Sequence, residues 1–236
     1  MRFFFLDEAP ENQVGSWTPP KELQHHLKAL RFGVEETFLL VLPDGTGLHA
    51  RPLDRRMLQL DGPAPVPALD LHPIQLATAW PKGKRAEDLV IRACEAGVTR
   101  IQPIIFERSV SGREPLSANQ VERLQRLMRE TCQQLGRAQL PELEPHPLPW
   151  DAVRAADPNA TAFCLHPRSQ PLLEAFEQLK PQSSLLLVGP EGGINPAEEA
   201  GLREQKWAFA GLLPTILRIE AAGPTGAALL QHHACR

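Results

Sequence analysis

Tyrosine is absent from the 236 residues, and cysteine is sparse and scattered: Cys94, Cys132, Cys164 and Cys235 form no C-x-x-C pair. That spacing excludes a thioredoxin-type redox motif and half of a zinc ribbon, and it fits free thiols in a reducing compartment. Long apolar runs are missing too. The stretch Phe3–Leu6 runs straight into Asp7 and Glu8, too short for the core of a signal peptide. Nowhere do roughly 18 apolar residues follow one another, which excludes a membrane-spanning helix. A cytoplasmic protein with no membrane attachment is the expectation. A large charge of one sign is also lacking: the formal net charge is -3.

Proline, by contrast, is plentiful. Its 24 copies are about twice the usual share, so many punctuated connections are expected and long helices are not. With 42% apolar and 22% charged residues the chain is ordinary globular material, long enough for one large domain or two modest ones. The small net charge hides an uneven distribution. Between Pro81 and Arg137 there are 11 Lys/Arg against 7 Asp/Glu, a basic segment set in an acidic remainder. Anionic partners would be steered to it, although solvated helix faces also read this way.

The first 70 residues or so read as strands and turns. Thr37–Leu42 is a compact apolar run, Asp44-Gly45 is a hairpin signal, and Leu48–Leu53 follows. Asp61 to Pro67 holds three prolines, which lack amide donors, and is therefore the candidate linker. The expected division is 1–68 for a small β-rich domain and 69–236 for a second domain. In the latter, strand-like Leu69–Trp80, helical Ala86–Ala96 closed by Gly97, and strand-like Val98–Phe106 make one βαβ unit. Ser117 with Gln120 reads as a capping box opening a further helix. Ala162–Leu165, a helix around Leu172–Leu179, and Leu185–Val188 continue the alternation, so an α/β domain with a mainly parallel sheet is expected.

The stretch from Ser184 to Glu199 carries the chemistry. A buried strand breaks into Gly189-Pro190-Glu191-Gly192-Gly193 and then starts a helix, with Asn195 able to cap it and Pro196 suited to its first position. Three glycines at the carboxyl end of a parallel strand let backbone amides approach a ligand. No Gly-Lys-[Ser/Thr] follows, so this is not a P-loop, and Glu191 suits a ligand carrying positive charge better than a pyrophosphate. A second stretch, Leu212 to Ala222, offers apolar residues that could wall an aromatic ring, with Arg218 and Glu220 as its polar members. A local ion pair and a catalytic role are both open for those two. The pairs His25-His26 and His232-His233 have no carboxylate at ligand spacing, so no metal is expected.

At these two stretches the chain resembles the SPOUT superfamily of S-adenosylmethionine-dependent RNA methyltransferases, and within it the ribosomal RNA small subunit methyltransferase E family. That family pairs a G-P-E-G-G loop with a later L-G-P-R-I-L-R-T-E-T-A segment. The first is intact at Gly189–Gly193, and the second survives as Leu212, Pro214, Ile216-Leu217-Arg218, Glu220 and Ala222. His26 with Leu30-Arg31 and Gly33 resembles the amino-terminal signature. Lys82-Gly83-Lys84-Arg85, Glu95, Gly97-Val98, Ile101-Gln102-Pro103 and Glu107-Arg108-Ser109 resemble the central block, and Glu122-Arg123, Gln134 and Arg137 the next. Four positions depart from the pattern: Leu213 stands where glycine is usual, Thr215 replaces an arginine, and Ile219 and Ala221 replace two threonines.

The resemblance implies an amino-terminal PUA-like β-barrel followed by a SPOUT α/β domain with a C-terminal trefoil knot, dimerising through the knotted domain. It implies methyl transfer from S-adenosylmethionine to N3 of a uridine in 16S (small-subunit) ribosomal RNA. Alternatives are a catalytically weakened RNA-binding relative and a related methyltransferase acting on another rRNA or tRNA site. Cofactor candidates are Leu187, Gly189, Glu191, Gly192 and Gly193, with Leu212, Ile216 and Leu217 around the adenine; alanine at Gly192 should weaken cofactor binding if the φ there is positive. Arg218 is the candidate for stabilising the uridine anion, and Glu220 for the base or for orienting Arg218. RNA candidates are Arg31, Lys82, Lys84, Arg85, Arg108 and Arg137.

Overall fold

The computed structural model describes residues 2–34, 36–54 and 56–235. It falls into two compact units, residues 1–69 with 132–139, and residues 70–131 with 140–236.

The first unit holds β1 (Phe3–Phe5), β2 (Val14–Trp17), α1 (Lys21–Ala29), β3 (Phe38–Val41), β4 (Gly47–Pro52) and β5 (Leu58–Ala64). Its sheet has the order β1-β3-β4-β5-β2, with β1 parallel to β3 and the other pairs antiparallel. Among the described residues the ladder runs from β1 to β2, the small amino-terminal sheet of the expected β-first layout. Alternation along β3 fills two cores. Phe38 and Leu40 join Phe4, Leu48 and Leu60 with Leu23 and Leu27 of α1 on one face, while Leu39 and Val41 pack with Phe3 and Ala138 on the other. The hairpin expected at Asp44-Gly45 joins β3 to β4.

Two expectations fail here. The reading of strands and turns alone missed α1, which follows Pro19-Pro20, has no side-chain cap, and buries only Leu23 and Leu27. The candidate linker begins inside a strand: Asp61, Gly62, Pro63 and Ala64 end β5. Proline fits because Pro63 pairs with Leu48 of β4 beyond the last β2–β5 pair, Val14–Asp61, where no second neighbour needs its amide.

The second unit alternates strand and helix: β6 (Ile74–Ala79), α2 (Lys84–Glu95), β7 (Arg100–Ile105), α3 (Ala118–Leu135), β8 (Glu142–Leu143), β9 (Leu148–Pro149), α4 (Val153–Ala156), β10 (Thr161–Pro171), α5 (Leu172–Leu179), β11 (Ser184–Val188), α6 (Pro196–Glu204), β12 (Ala208–Gly211) and α7 (Ile219–Ala234). The end of α3, from Cys132, clusters with the first unit. The sheet is parallel throughout, in the order β12-β10-β11-β6-β7-β8, with β9 also on β7. Central strands β6 and β11 are buried at every position, which is why Leu185–Val188 reads as an apolar run and β6 as a mostly apolar one that also buries Gln75 and Thr78.

Helix ends match their sequence signals. Gly97, at φ +76°, follows the last residues of α2, and Ser117 and Gln120 exchange hydrogen bonds at the start of α3. From edge strand β12 the chain turns back across the sheet, and α7 packs against α2, β11 and β6, the return crossing that a C-terminal knot requires. The Gln231 side chain fixes this helix by accepting from His72 N and donating to His72 O and Gly97 O at 2.8–3.0 Å.

Candidate active site

Three neighbouring parallel strands end at one cavity. Leu165 of β10, Val188 of β11 and Ala210 of β12 form its floor at the carboxyl edge of the sheet, where open α/β sheets bind ligands. Its volume is about 480 Å³, within the range of small-molecule sites. Gly189, Pro190, Glu191, Gly193 and Ile194 form one side. Leu212 to Ile219, leading from β12 into α7, form the other.

The glycine loop is shaped by its own turn and by the helix after it. Gly193 N donates to Pro190 O at 2.8 Å, closing a four-residue turn, and Gly193 takes φ +73°. The condition set for Gly192 is not met, and the positive φ lies at Gly193. A Cβ on Gly189 would lie 2.7 Å from Ile194 Cγ1, so this position stays bare for packing. At Asn195 the loop becomes helix: its Oδ1 accepts from Glu198 N at 2.8 Å, and Glu198 Oε2 accepts from Asn195 N at 2.9 Å, with Pro196 in the first turn.

The segment after β7 buttresses this loop, which gives the Glu107-Arg108-Ser109 motif a physical role. Ser109 Oγ accepts from Phe106 N at 2.9 Å, and Arg113 donates to the carbonyls of Phe106, Glu107 and Ser109. The tightened turn presents Glu107 N to Glu198 Oε1 at 2.7 Å and Glu107 Oε2 to Asn195 Nδ2 at 2.5 Å. Arg108 Nη1 donates to Gly192 O at 3.1 Å. Buried Glu198 thus has both oxygens satisfied, as a charge at 4% exposure requires. Arg85, in the first turn of α2, forms an ion pair with Glu191.

Six of the eight expected cofactor residues line the cavity: Gly189, Glu191, Gly193, Leu212, Ile216 and Leu217. Two do not. Leu187 is 0% exposed inside β11, one residue below the floor, because its side chain belongs to the sheet core. Gly192 lies at the turn facing Arg108, where an added Cβ would stand 3.2 Å from Arg108 Cβ. Leu213 leaves the slot open. It is 48% exposed on the rim, so the departure from glycine does not fill the cavity.

Arg218 lines the cavity as the N-cap residue of α7, exposed and, among the described residues, without a side-chain partner. Glu220 does not line it. The helix turns Glu220 inward to 6% exposure, where its Oε2 has no hydrogen-bond partner among the described residues. No Arg218–Glu220 ion pair forms, and a base role for Glu220 loses direct access to the cavity. Sequence reasoning missed Leu165, His166, Pro167 and Ile194, all in the lining. The signal for the first three was available, since Leu165 ends the apolar run Ala162–Leu165 and the pairing with β11, and His166 and Pro167 follow it.

Of the expected RNA residues, Lys82 and Lys84 are exposed around the start of α2, and Arg85 and Arg108 flank the glycine loop. Arg31 is exposed in the first unit, at φ +55°. Arg137 is 3% exposed and has no surface to offer a polyanion, so it leaves this set. Among the described residues no three His, Cys, Asp or Glu side chains converge on a metal-sized site, and no helix is long and apolar enough to cross a membrane. The Cys164 thiol, in β10 beneath the cavity, is pushed up to about 12 by burial, with Glu199 adding to the rise.

The family model of an RNA methyltransferase domain matches residues 68–231. The ribosomal RNA small subunit methyltransferase E of Mycobacterium bovis is 27% identical over 233 residues, 93% of this chain and 87% of that protein. The Synechocystis protein of the same name is 34% identical over 126 residues, 51% of this chain and 40% of that protein's length. The crystal structure of a ribosomal RNA small subunit methyltransferase E from Neisseria gonorrhoeae, bound to S-adenosyl methionine, shares the fold. Its TM-score is 0.78 at 24% identity, covering 99% of this chain and 98% of that one.

Proposed function

Because the chain belongs to the RNA methyltransferase domain family, we propose that it transfers a methyl group from S-adenosylmethionine to N3 of a uridine in small-subunit (16S) ribosomal RNA. The single observation that carries this is the cavity of about 480 Å³ built by the glycine loop and the Leu212–Leu217 segment, inside the region the family model matches. Its residues fit the donor's chemistry. Bare backbone at Gly189 and Gly193 and the apolar wall of Leu212 and Leu217 suit a nucleoside, and Glu191 suits a cation.

When bound, S-adenosylmethionine supplies an activated methyl on a sulfonium, which leaves the protein the work of alignment and charge control. The strand ends and the buttressed loop give a rigid floor, so the methyl can be held in line with its acceptor. Arg218, a free guanidinium on the lining, is placed to stabilise the negative charge that develops on the uridine ring as its N3 proton leaves. Glu220 is buried and outside the lining, so the proton passes to solvent rather than to Glu220. Lys82, Lys84, Arg85 and Arg108 supply cations for the phosphate backbone beside the cavity, and Arg31 does so from the first unit. The protein works in the cytoplasm as a homodimer, as the family resemblance implies.

The test is methyl transfer itself. Methyl-labelled donor, the full chain and small-subunit ribosomal RNA or 30S subunits from a strain lacking the protein should yield label at one uridine, in a base that no longer pairs through N3. Label on transfer RNA or at a ring carbon would reject the reading. Arg218→Ala should lower turnover by about 10²–10³-fold with donor affinity little changed.

A further inference from the structure

Glu191 is the only carboxylate among the described residues that line the cavity, and Arg85 already holds it. Both side chains are near 40% exposed, 41% for Arg85 and 43% for Glu191, so the pair sits at the mouth, open to solvent and to a polyanion. Arg85 also stands with Lys82 and Lys84 in the basic start of α2, on the side where RNA phosphates are expected. One ion pair therefore joins the cofactor loop to the RNA-facing cations.

Methyl transfer cleaves the S–CH₃ bond with the electron pair left on sulfur, so the donor is a sulfonium and the spent product a neutral thioether. A carboxylate in the lining favours the first over the second, and a guanidinium bound to that carboxylate weakens the preference. We propose that Arg85 and Glu191 form a charge switch: RNA phosphate drawing Arg85 away frees Glu191, and the cavity then favours S-adenosylmethionine over S-adenosylhomocysteine. This rests on the functional reading above, and it goes further by naming the residue that distinguishes donor from product. Arg108 keeps the loop in place during the exchange, because its bond is to the Gly192 carbonyl and not to the Glu191 carboxylate. The guanidinium that lines the cavity itself, Arg218, lies on the opposite segment and belongs to the acceptor side. Donor would be held while RNA is present, and product released as RNA leaves.

The test is calorimetric titration of donor and product against the full chain at low salt, with oligoadenylate as an RNA backbone that offers no uridine. Arg85→Ala should raise the donor-to-product affinity ratio by roughly two- to five-fold, the range for an exposed ion pair. Glu191→Gln should lower it, and Arg85→Ala/Glu191→Gln should match Glu191→Gln alone, since removing Arg85 matters only through the carboxylate. Oligoadenylate should raise the wild-type ratio and leave that of Arg85→Ala unmoved. Equal ratios in wild type and Arg85→Ala, with donor still bound, would overturn the inference alone. Failure of the wild-type chain to bind donor would remove the functional reading and this inference together.

Discussion

Substituting alanine at the two adjacent glycines of the loop separates backbone conformation from space. Gly193 has φ +73° and nothing within 4 Å of where a Cβ would stand, so alanine there meets no clash but enters the left-handed region. That region costs a Cβ-bearing residue roughly 1–2 kcal/mol. Gly192 has ordinary φ and would place its Cβ 3.2 Å from Arg108 Cβ, a contact relieved by a few tenths of an ångström in an exposed loop. A surface change of this kind is worth at most about 0.5 kcal/mol. If the free loop relaxes, the Gly193→Ala cost appears as a roughly 5- to 30-fold loss of donor affinity. If it does not, the cost appears as a lower melting temperature, about 2–4 °C per kcal/mol for a chain of this size. Calorimetry and a thermal melt on both variants read the two parts. Gly193→Asn should recover part of the loss, because asparagine tolerates this region. A larger combined loss for Gly192→Ala than for Gly193→Ala would refute the reasoning.

Gly223→Ala in α7 would put a Cβ 2.5 Å from Leu76 Cδ1 and 2.8 Å from Cδ2, and Leu76 is 0% exposed. Overpacking there should destabilise the chain by about 1–3 kcal/mol in urea unfolding, and an unchanged midpoint would contradict this packing. Of the four thiols, Cys94, Cys132 and Cys164 are buried and Cys235 is exposed. An aromatic disulfide reagent at pH 8 should therefore modify one equivalent in the native protein and four in denaturant; Cys164, at about 12, stays a thiol in the fold. Burial lowers the pKa of His72, whose Nε2 lies 2.8 Å from Ser184 Oγ. Below about pH 6.5 the unfolded chain then binds more protons, so stability present above that pH is lost as pH falls through the folded value. His72→Gln should flatten that acid limb, and an unchanged slope would show that His72 does not set it.

Local signals reached far into this fold, and they stopped where contacts became distant. Asn195, Pro196 and Glu198 announce the start of α6 within four residues, and Gly97 announces the end of α2, because caps are short-range hydrogen-bond problems. The glycine loop was legible for the same reason: a buried strand that breaks into glycine constrains its own geometry. Nothing local marks the bond between Asn195 and Glu107, 88 residues apart, or the ion pair between Arg85 and Glu191, 106 apart. The motif at Glu107-Arg108-Ser109 resembles a family block in sequence, but its work as a buttress appears only when β7 and β11 end on the same edge of the sheet. Leu187 was misplaced for a related reason. Both faces of β11 are core, so only its last residue, Val188, reaches the cavity, and one position along the strand decides whether a side chain meets the ligand or the core. Pro63 shows the converse, since a breaker is harmless where a strand has lost one neighbour.

Titration calorimetry of S-adenosylmethionine against the unmodified full chain is set beside the same titration of Leu217→Arg, which drives a long charged side chain into the apolar wall. Saturable binding at one site per chain, lost in Leu217→Arg while its melting temperature holds, is the expected result. Binding that survives Leu217→Arg unchanged, or no binding to the wild-type chain at millimolar donor, would show that this cavity is not the donor site.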